Sequence, residues 1–176
     1  MSVSAARQKA GIDWPRVRAQ LDERGFALIP GVLSRQPCEE IAGYFPDETR
    51  FRSRIDMAHY GFGRGEYKYF RYPLSRIVEQ LRGSMYPELA LLANEWAARL
   101  AEKPTRFPGK LDDFLTQCHR AGQKRPTPLL LKYGAGDYNC LHQDLYGDMV
   151  FPFQATFFLC RPGEDFLGGE FVLTEQ

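Results

Sequence analysis

Several patterns that mark whole classes of protein are missing from this chain of 176 residues. No two of its four cysteines form a C-x-x-C pair, which disfavours a structural zinc site and a disulfide framework. No apolar leader begins the chain, and no apolar run approaches the ~18 residues that a membrane span needs. We therefore expect a cytoplasmic protein with no membrane contact.

Two common catalytic signatures are also lacking. There is no glycine-rich loop of the kind that cradles phosphates, and there is no G-x-S-x-G motif, so nucleotide-binding and serine-hydrolase functions are disfavoured. Histidine is scarce, with only three in the chain. Any metal site built on imidazole must therefore use one of very few residues.

Charge is nearly balanced overall but unevenly distributed. The net charge is +1, which by itself indicates neither a polyanion binder nor an acidic tail. Residues 1–125 carry 21 basic and 15 acidic side chains, whereas residues 126–176 carry 2 and 7. With 44% hydrophobic residues the composition is that of a folded protein, and the length predicts a single domain over 1–176.

The front part, residues 1–125, reads mainly as helices. Asp13 is a good helix N-cap and Gly25 a good stop, so they predict a first helix between them. Ser34 is placed to open a second helix. Apolar residues at spacings of three and four predict a third helix that ends before Pro104: Leu89, Leu92, Trp96 and Leu100.

An Arg/aromatic segment, residues 50–82, interrupts these helices with eight basic and seven aromatic side chains. Such a mixture suits the binding of single-stranded or flipped-out nucleotides, because cations meet phosphates and rings stack on bases. A solvated face whose arginine stems cover apolar surface has the same composition, and the sequence leaves both readings open. The candidate substrate-binding residues are Arg64, Tyr67, Lys68, Tyr69 and Arg71.

Residues 126–176 instead read as short strands separated by turns. Strands are predicted over 129–133, 138–144, 153–160 and 169–174, with a spacing typical of a barrel or jelly roll. Phe158 and Phe171 are expected in the core. The second of these strands contains His142 and Asp144, and residues two apart in a strand point to the same face. An imidazole and a carboxylate there could bind one metal ion, as in the 2-His-1-carboxylate sites of non-haem iron enzymes.

The residues around this pair resemble the central strands of the Fe(II)/2-oxoglutarate-dependent oxygenases. The resemblance rests on LLKYGAGDYNCLHQD at 130–144, QATFFLC at 154–160 and GGEFVL at 168–173, which follow the family's order. Residues 25–34 are similar to the first strand and helix of the prolyl-hydroxylase-like branch. The His-Gln-Asp triplet after a Tyr-x-x-Gly turn is equally similar to the alkylated-base demethylases.

The resemblance implies an α+β fold, a double-stranded β-helix (jelly roll) core covered by N-terminal helices. It implies that His142 and Asp144 bind Fe(II), and that Tyr133 hydrogen-bonds a carboxylate of 2-oxoglutarate. In the family a second histidine and a cation for 2-oxoglutarate follow the Gly-Gly-Glu strand. None follows here before Gln176, so we expect a C-terminally incomplete copy of the fold that lacks its last strands.

The function implied is that of a dioxygenase that uses Fe(II), 2-oxoglutarate and O₂ to hydroxylate a C–H bond. Oxidative demethylation of damaged nucleic acid is the substrate reading that the Arg/aromatic segment favours. Hydroxylation of a protein side chain is an alternative, and so is a catalytically inactive fragment or β-barrel binding module. The sequence leaves the oligomeric state open.

Overall fold

The structure is a computed structural model that describes residues 11–100, 106–144 and 149–174. These residues combine α-helices with small antiparallel sheets, so the expected α+β class is confirmed at that level. They form no closed barrel. No helix among them is both long and apolar enough to cross a membrane.

The chain divides into two compact units. A helical unit comprises Met1–Pro37, Pro73–Arg125 and Asp144–Ala155, and a sheet unit comprises Cys38–Tyr72, Pro126–Gln143 and Thr156–Gln176. The helices run in the order α1 (Trp14–Arg24), α2 (Arg35–Ala42), α3 (Met57–Tyr60), α4 (Arg76–Leu100) and α5 (Leu111–Arg120). The strands are β1 (Phe51–Asp56), β2 (Gly63–Arg64), β3 (Glu66–Phe70), β4 (Leu129–Lys132) and β5 (Tyr138–Asn139).

The helix predictions are confirmed where local signals define them. The Asp13 side chain accepts a hydrogen bond from the Arg16 amide at 3.1 Å and caps α1, which ends at Gly25. The helix predicted at Ser34 begins at Arg35. The helix predicted around Leu92 is longer than its apolar spacing indicated, because it begins at Arg76 and continues through an internal proline.

Helix α4 organises the helical unit through two apolar faces. One face buries Tyr86, Ala90 and Ala93 against Phe107 and Phe114, and rings from residues 151 and 153 pack onto the same cluster. The other face brings Leu92 into contact with α1. Burial of this apolar surface holds the helices together.

The sheet unit contains a three-stranded antiparallel sheet in the order β1-β3-β4 and a two-stranded ladder of β2 with β5. Three of its strands come from residues 51–70, within the part of the chain that was expected to be helical. Alternating aromatic and polar residues there have the period of two that a strand needs. Gly61 ends α3 and Gly65 lies between β2 and β3, whereas Gly63 belongs to β2 itself.

Two strand predictions were wrong. Residues 153–160 and 169–174 form no strand, and only an isolated bridge joins Pro162 to Phe166. Their apolar alternation fits a sheet surface, but a strand also requires a neighbouring strand to receive its hydrogen bonds. Phe158 and Phe171 are consequently exposed and contact each other edge to face, so their expected place in the core was also wrong.

Candidate functional site

Strand β5 leads directly into the predicted metal ligands. It pairs with β2, Gly63 opposite Asn139 and Arg64 opposite Tyr138. Gly63 has φ +126°, and a Cβ there would lie 2.2 Å from the Tyr138 carbonyl oxygen, so only glycine permits this approach. The strand predicted through Asp144 is confirmed only for its first two residues, because residues 140–144 are not paired as a strand.

His142 is held by a backbone carbonyl of the sheet unit. The Cys140 amide donates to the Phe62 carbonyl at 2.8 Å, and the Cys140 carbonyl lies 2.8 Å from Nδ1 of His142. Because a carbonyl oxygen can only accept, Nδ1 carries the proton, and Nε2 is the nitrogen suited to bind a metal. Such a contact fixes the orientation of metal-binding histidines in many proteins.

Asp144 begins the third segment of the helical unit, Asp144–Ala155. Its Oδ2 accepts a hydrogen bond from the Gln154 side-chain amide at 2.9 Å. Both Asp144 and His142 are exposed. A carboxylate with one oxygen held by an amide is oriented in the way that carboxylate ligands commonly are.

Tyr133 follows β4 at the start of a tight turn. In that turn the Gly134 amide donates to Oδ2 of Asp137 at 2.7 Å. The tyrosine ring lies against Gly65, where a Cβ would come within 2.9 Å of it. Partial burial raises the pKa of the Tyr133 hydroxyl, more than a hydrogen bond with Asn139 lowers it. The phenol is therefore a neutral hydrogen-bond donor at physiological pH, and it remains 44% exposed.

The donor atoms fit Fe(II) but do not complete its coordination. Neutral imidazole and carboxylate are the ligand types of the non-haem Fe(II) oxygenases. Among the described residues, however, no three His, Cys, Asp or Glu side chains come together in a way that could hold a metal ion. The chemistry of His142 and Asp144 suits an iron ligand, but two such side chains alone do not make the facial triad.

Lys68 differs from the other candidate substrate-binding residues because it points into the sheet unit. Its side chain is only 4% exposed, and Nζ donates to the Phe45 carbonyl at 2.8 Å and to the Glu48 carboxylate at 2.5 Å. The ammonium also lies 4.4 Å from the centre of the Phe45 ring. These contacts make Lys68 part of the packing of the unit.

The opposite face of β3 carries the candidate tyrosines. The rings of Tyr67 and Tyr69 contact edge to face at 5.6 Å, and the Arg52 guanidinium lies 4.3 Å above Tyr69. Both tyrosines are half-buried, whereas Arg64 and Arg71 are exposed. The five candidates therefore do not share one surface.

Sequence reasoning missed a pair of exposed rings just before β2, one at the end of α3 and one in the turn that follows it. Tyr60 and Phe62 are stacked with their ring centres 5.6 Å apart and their planes inclined by 19°. They are 56% and 46% exposed. The available signal was the pair of aromatics on either side of Gly61. Such a pattern is more readily interpreted as a flexible loop than as an ordered aromatic surface.

Comparison with known proteins gives two kinds of match. A family model, Oxygenase-NA, described as "Oxygenase, catalysing oxidative methylation of damaged DNA", matches residues 65–176. Two uncharacterized proteins of Mycobacterium tuberculosis, MT2286 of strain CDC 1551 / Oshkosh and Rv2227 of strain ATCC 25618 / H37Rv, are each 50% identical over 107 residues. That region is 61% of this chain but only 46% of each relative, and no solved structure matches.

Proposed function

This chain belongs to the Oxygenase-NA family, and from that premise we propose that it acts in an oxygenase whose substrate is damaged DNA and which depends on Fe(II), 2-oxoglutarate and O₂. The observation that carries the proposal is the family match over 65–176, which includes Tyr133, His142 and Asp144. The DNA in the family's description favours the demethylase-like branch of the superfamily. The cytoplasm is the proposed location.

In this proposal Nε2 of His142 and the carboxylate of Asp144 hold the iron. The Cys140 carbonyl and the Gln154 amide support it, because each fixes the orientation of one ligand. Iron and 2-oxoglutarate, when bound, supply the activation of O₂ that hydroxylation of a C–H bond requires. The residues of the chain bind and orient them.

Tyr133 is proposed to hold 2-oxoglutarate. Its raised pKa keeps the hydroxyl protonated, so it can donate a hydrogen bond to a carboxylate without adding a like charge. The nearby turn fixes its backbone through Asp137. Tyr133→Phe should therefore weaken binding of 2-oxoglutarate while leaving Fe(II) binding unchanged.

We further propose that the antiparallel strands of the sheet unit belong to a double-stranded β-helix. The three-stranded sheet and the β2–β5 ladder have the antiparallel pairing that a jelly roll uses. A protein side chain as substrate, or an inactive binding module, is not favoured by the family's description. Stimulation of 2-oxoglutarate turnover by alkylated DNA and not by peptides would separate these cases.

The decisive experiment is anaerobic addition of 2-oxoglutarate and a large excess of Fe(II), which two protein ligands bind weakly, followed by visible spectroscopy. The proposal predicts a charge-transfer band in the wild-type protein and its loss in His142→Ala. His119→Ala is the matched control, because His119 is an exposed histidine on α5 of the helical unit. A band that survives in His142→Ala, or that disappears in both variants, would refute the assignment of His142.

A further inference from the structure

The stacked rings of Tyr60 and Phe62 form an aromatic surface that the oxygenase chemistry does not use. Nearly parallel and about half exposed, they leave large ring faces in water. His59 adds a third ring, edge-on to Tyr60 at 5.0 Å. Contiguous apolar surface that a fold leaves exposed commonly marks a place where a partner binds.

This surface is tied to the candidate metal ligand through a single residue. The Cys140 amide donates to the Phe62 carbonyl at 2.8 Å, and the Cys140 carbonyl accepts from Nδ1 of His142 at 2.8 Å. The Cys140 thiol also lies 3.9 Å from the Gly61 carbonyl oxygen. The turn that carries the rings and the imidazole are therefore anchored on the same short segment.

A positive charge and a further ring lie on the ladder that begins directly after Phe62. Arg64 is the register partner of Tyr138, so the two side chains lie on the same face of the β2–β5 ladder, and both are exposed. Within the described part of the chain Arg64 makes no ion pair, in contrast to Arg54, which is paired with Glu66 at 2.6 Å. An exposed cation two residues along the chain from an exposed ring matches the alternating phosphates and bases of a single strand.

We propose that Tyr60, Phe62, Arg64 and Tyr138 form a platform on which unpaired bases of single-stranded DNA stack, with Arg64 at a phosphate. The choice of DNA rests on the proposed function, whereas the platform itself rests on the ring geometry. Stacking needs no base-specific hydrogen bond, so the platform would accept different bases and hold the strand beside His142.

The test is binding of a fluorescent oligothymidylate, roughly 12 nucleotides long, to the metal-free chain, followed by anisotropy. Phe62→Ala and Tyr60→Ala should each weaken binding about 5- to 100-fold, whereas Phe62→Tyr should bind like wild type because it keeps a ring. Phe171→Ala is the matched control, since Phe171 is an equally exposed ring of the sheet unit in an edge-to-face pair.

The salt dependence separates the arginine from the rings. Arg64→Gln should reduce the slope of log affinity against log salt by about 0.7, the effect of one phosphate contact on a single strand. The ring variants should lower the affinity at every salt concentration and leave the slope unchanged. An unchanged slope in Arg64→Gln would remove Arg64 from the platform.

Wild-type binding by both ring-to-alanine variants would overturn the proposal. So would an equal loss in Phe171→Ala, because the effect would then belong to exposed rings in general. The metal band does not enter this measurement. Ring-dependent binding without a band would support the platform and contradict the proposed function, whereas a band without ring-dependent binding would do the reverse.

Discussion

The two units of the chain differ in how completely they bury their aromatic side chains. In the helical unit Tyr86, Phe107, Phe114 and Phe151 pack with ring centres 5.1–5.7 Å apart and form a core. The sheet unit also buries rings, such as Phe51 and Phe70 with centres 4.9 Å apart, but it leaves others in water, among them the stacked Tyr60 and Phe62. The difference shows that aromatic content alone does not separate core from binding surface. Whether a ring is buried depends on which side chains pack against it.

The largest expected effect is on the core of the helical unit. Phe114→Ala should lower the free energy of unfolding by about 3–5 kcal/mol, because Phe114 is buried among three other rings and its removal leaves a cavity. Urea denaturation measures it. Phe171→Ala should cost less than about 0.5 kcal/mol, since the side chain is exposed. Equal losses would show that the contrast between the two units is false.

A smaller effect is expected at the buried lysine of the sheet unit. Lys68→Met should cost about 1–3 kcal/mol, because the Phe45 carbonyl loses its charged donor. Lys132→Met is the matched control, since Lys132 also lies over the Phe45 ring, at 5.3 Å, yet is exposed. Its ion pair with Glu66 should contribute at most about 1 kcal/mol. Thermal and urea unfolding that rank the two variants in the reverse order would contradict this packing role.

The smallest expected effect is on the pH dependence of stability, through the buried phenol of Tyr86. Burial raises the pKa of Tyr86 to about 12, and its hydroxyl donates to the Pro108 carbonyl at 2.7 Å. Below the ordinary pKa of about 10 the phenol is neutral in both states, so its stabilisation is fully present there. Above that pH the unfolded chain ionises first, and stability is lost as the pH rises through the folded pKa.

Tyr86→Phe should therefore be less stable by about 1 kcal/mol at neutral pH, for loss of one hydrogen bond. Its stability should then fall less steeply than that of the wild type between about pH 10 and 12. Urea unfolding at a series of pH values measures both. Parallel curves for the two proteins would show that the phenol ionises as easily in the fold as in the unfolded chain.

Local signals predicted α1, α2 and α4 but not α3 or α5, and they predicted the strands poorly, for a physical reason. Asp13 and Gly25 define a helix because capping acts within a few residues. Residues 153–160 have strand-like alternation, but no strand of the described chain pairs with them. Lys68 shows the same limit, because its burial depends on Phe45 and Glu48, which lie about 20 residues earlier.

The residues of the candidate site also differ in whether local sequence could predict them. His142, Asp144 and Tyr133 were predicted from their sequence context, and the structure adds a hydrogen-bond partner for each side chain. The stacked rings were not found, because their meaning depends on exposure and mutual geometry. Composition of the Arg/aromatic segment could not indicate which of its rings face water.

The close approach at Gly63 restricts how this protein can vary. At Gly61, which has φ +70° and open space around it, asparagine could adopt the same backbone conformation. At position 63 even alanine would meet the Tyr138 carbonyl, unpair β5 and release the segment that orients His142. Among naturally occurring variants of this chain that retain the ladder, position 61 can thus change, whereas position 63 must remain glycine.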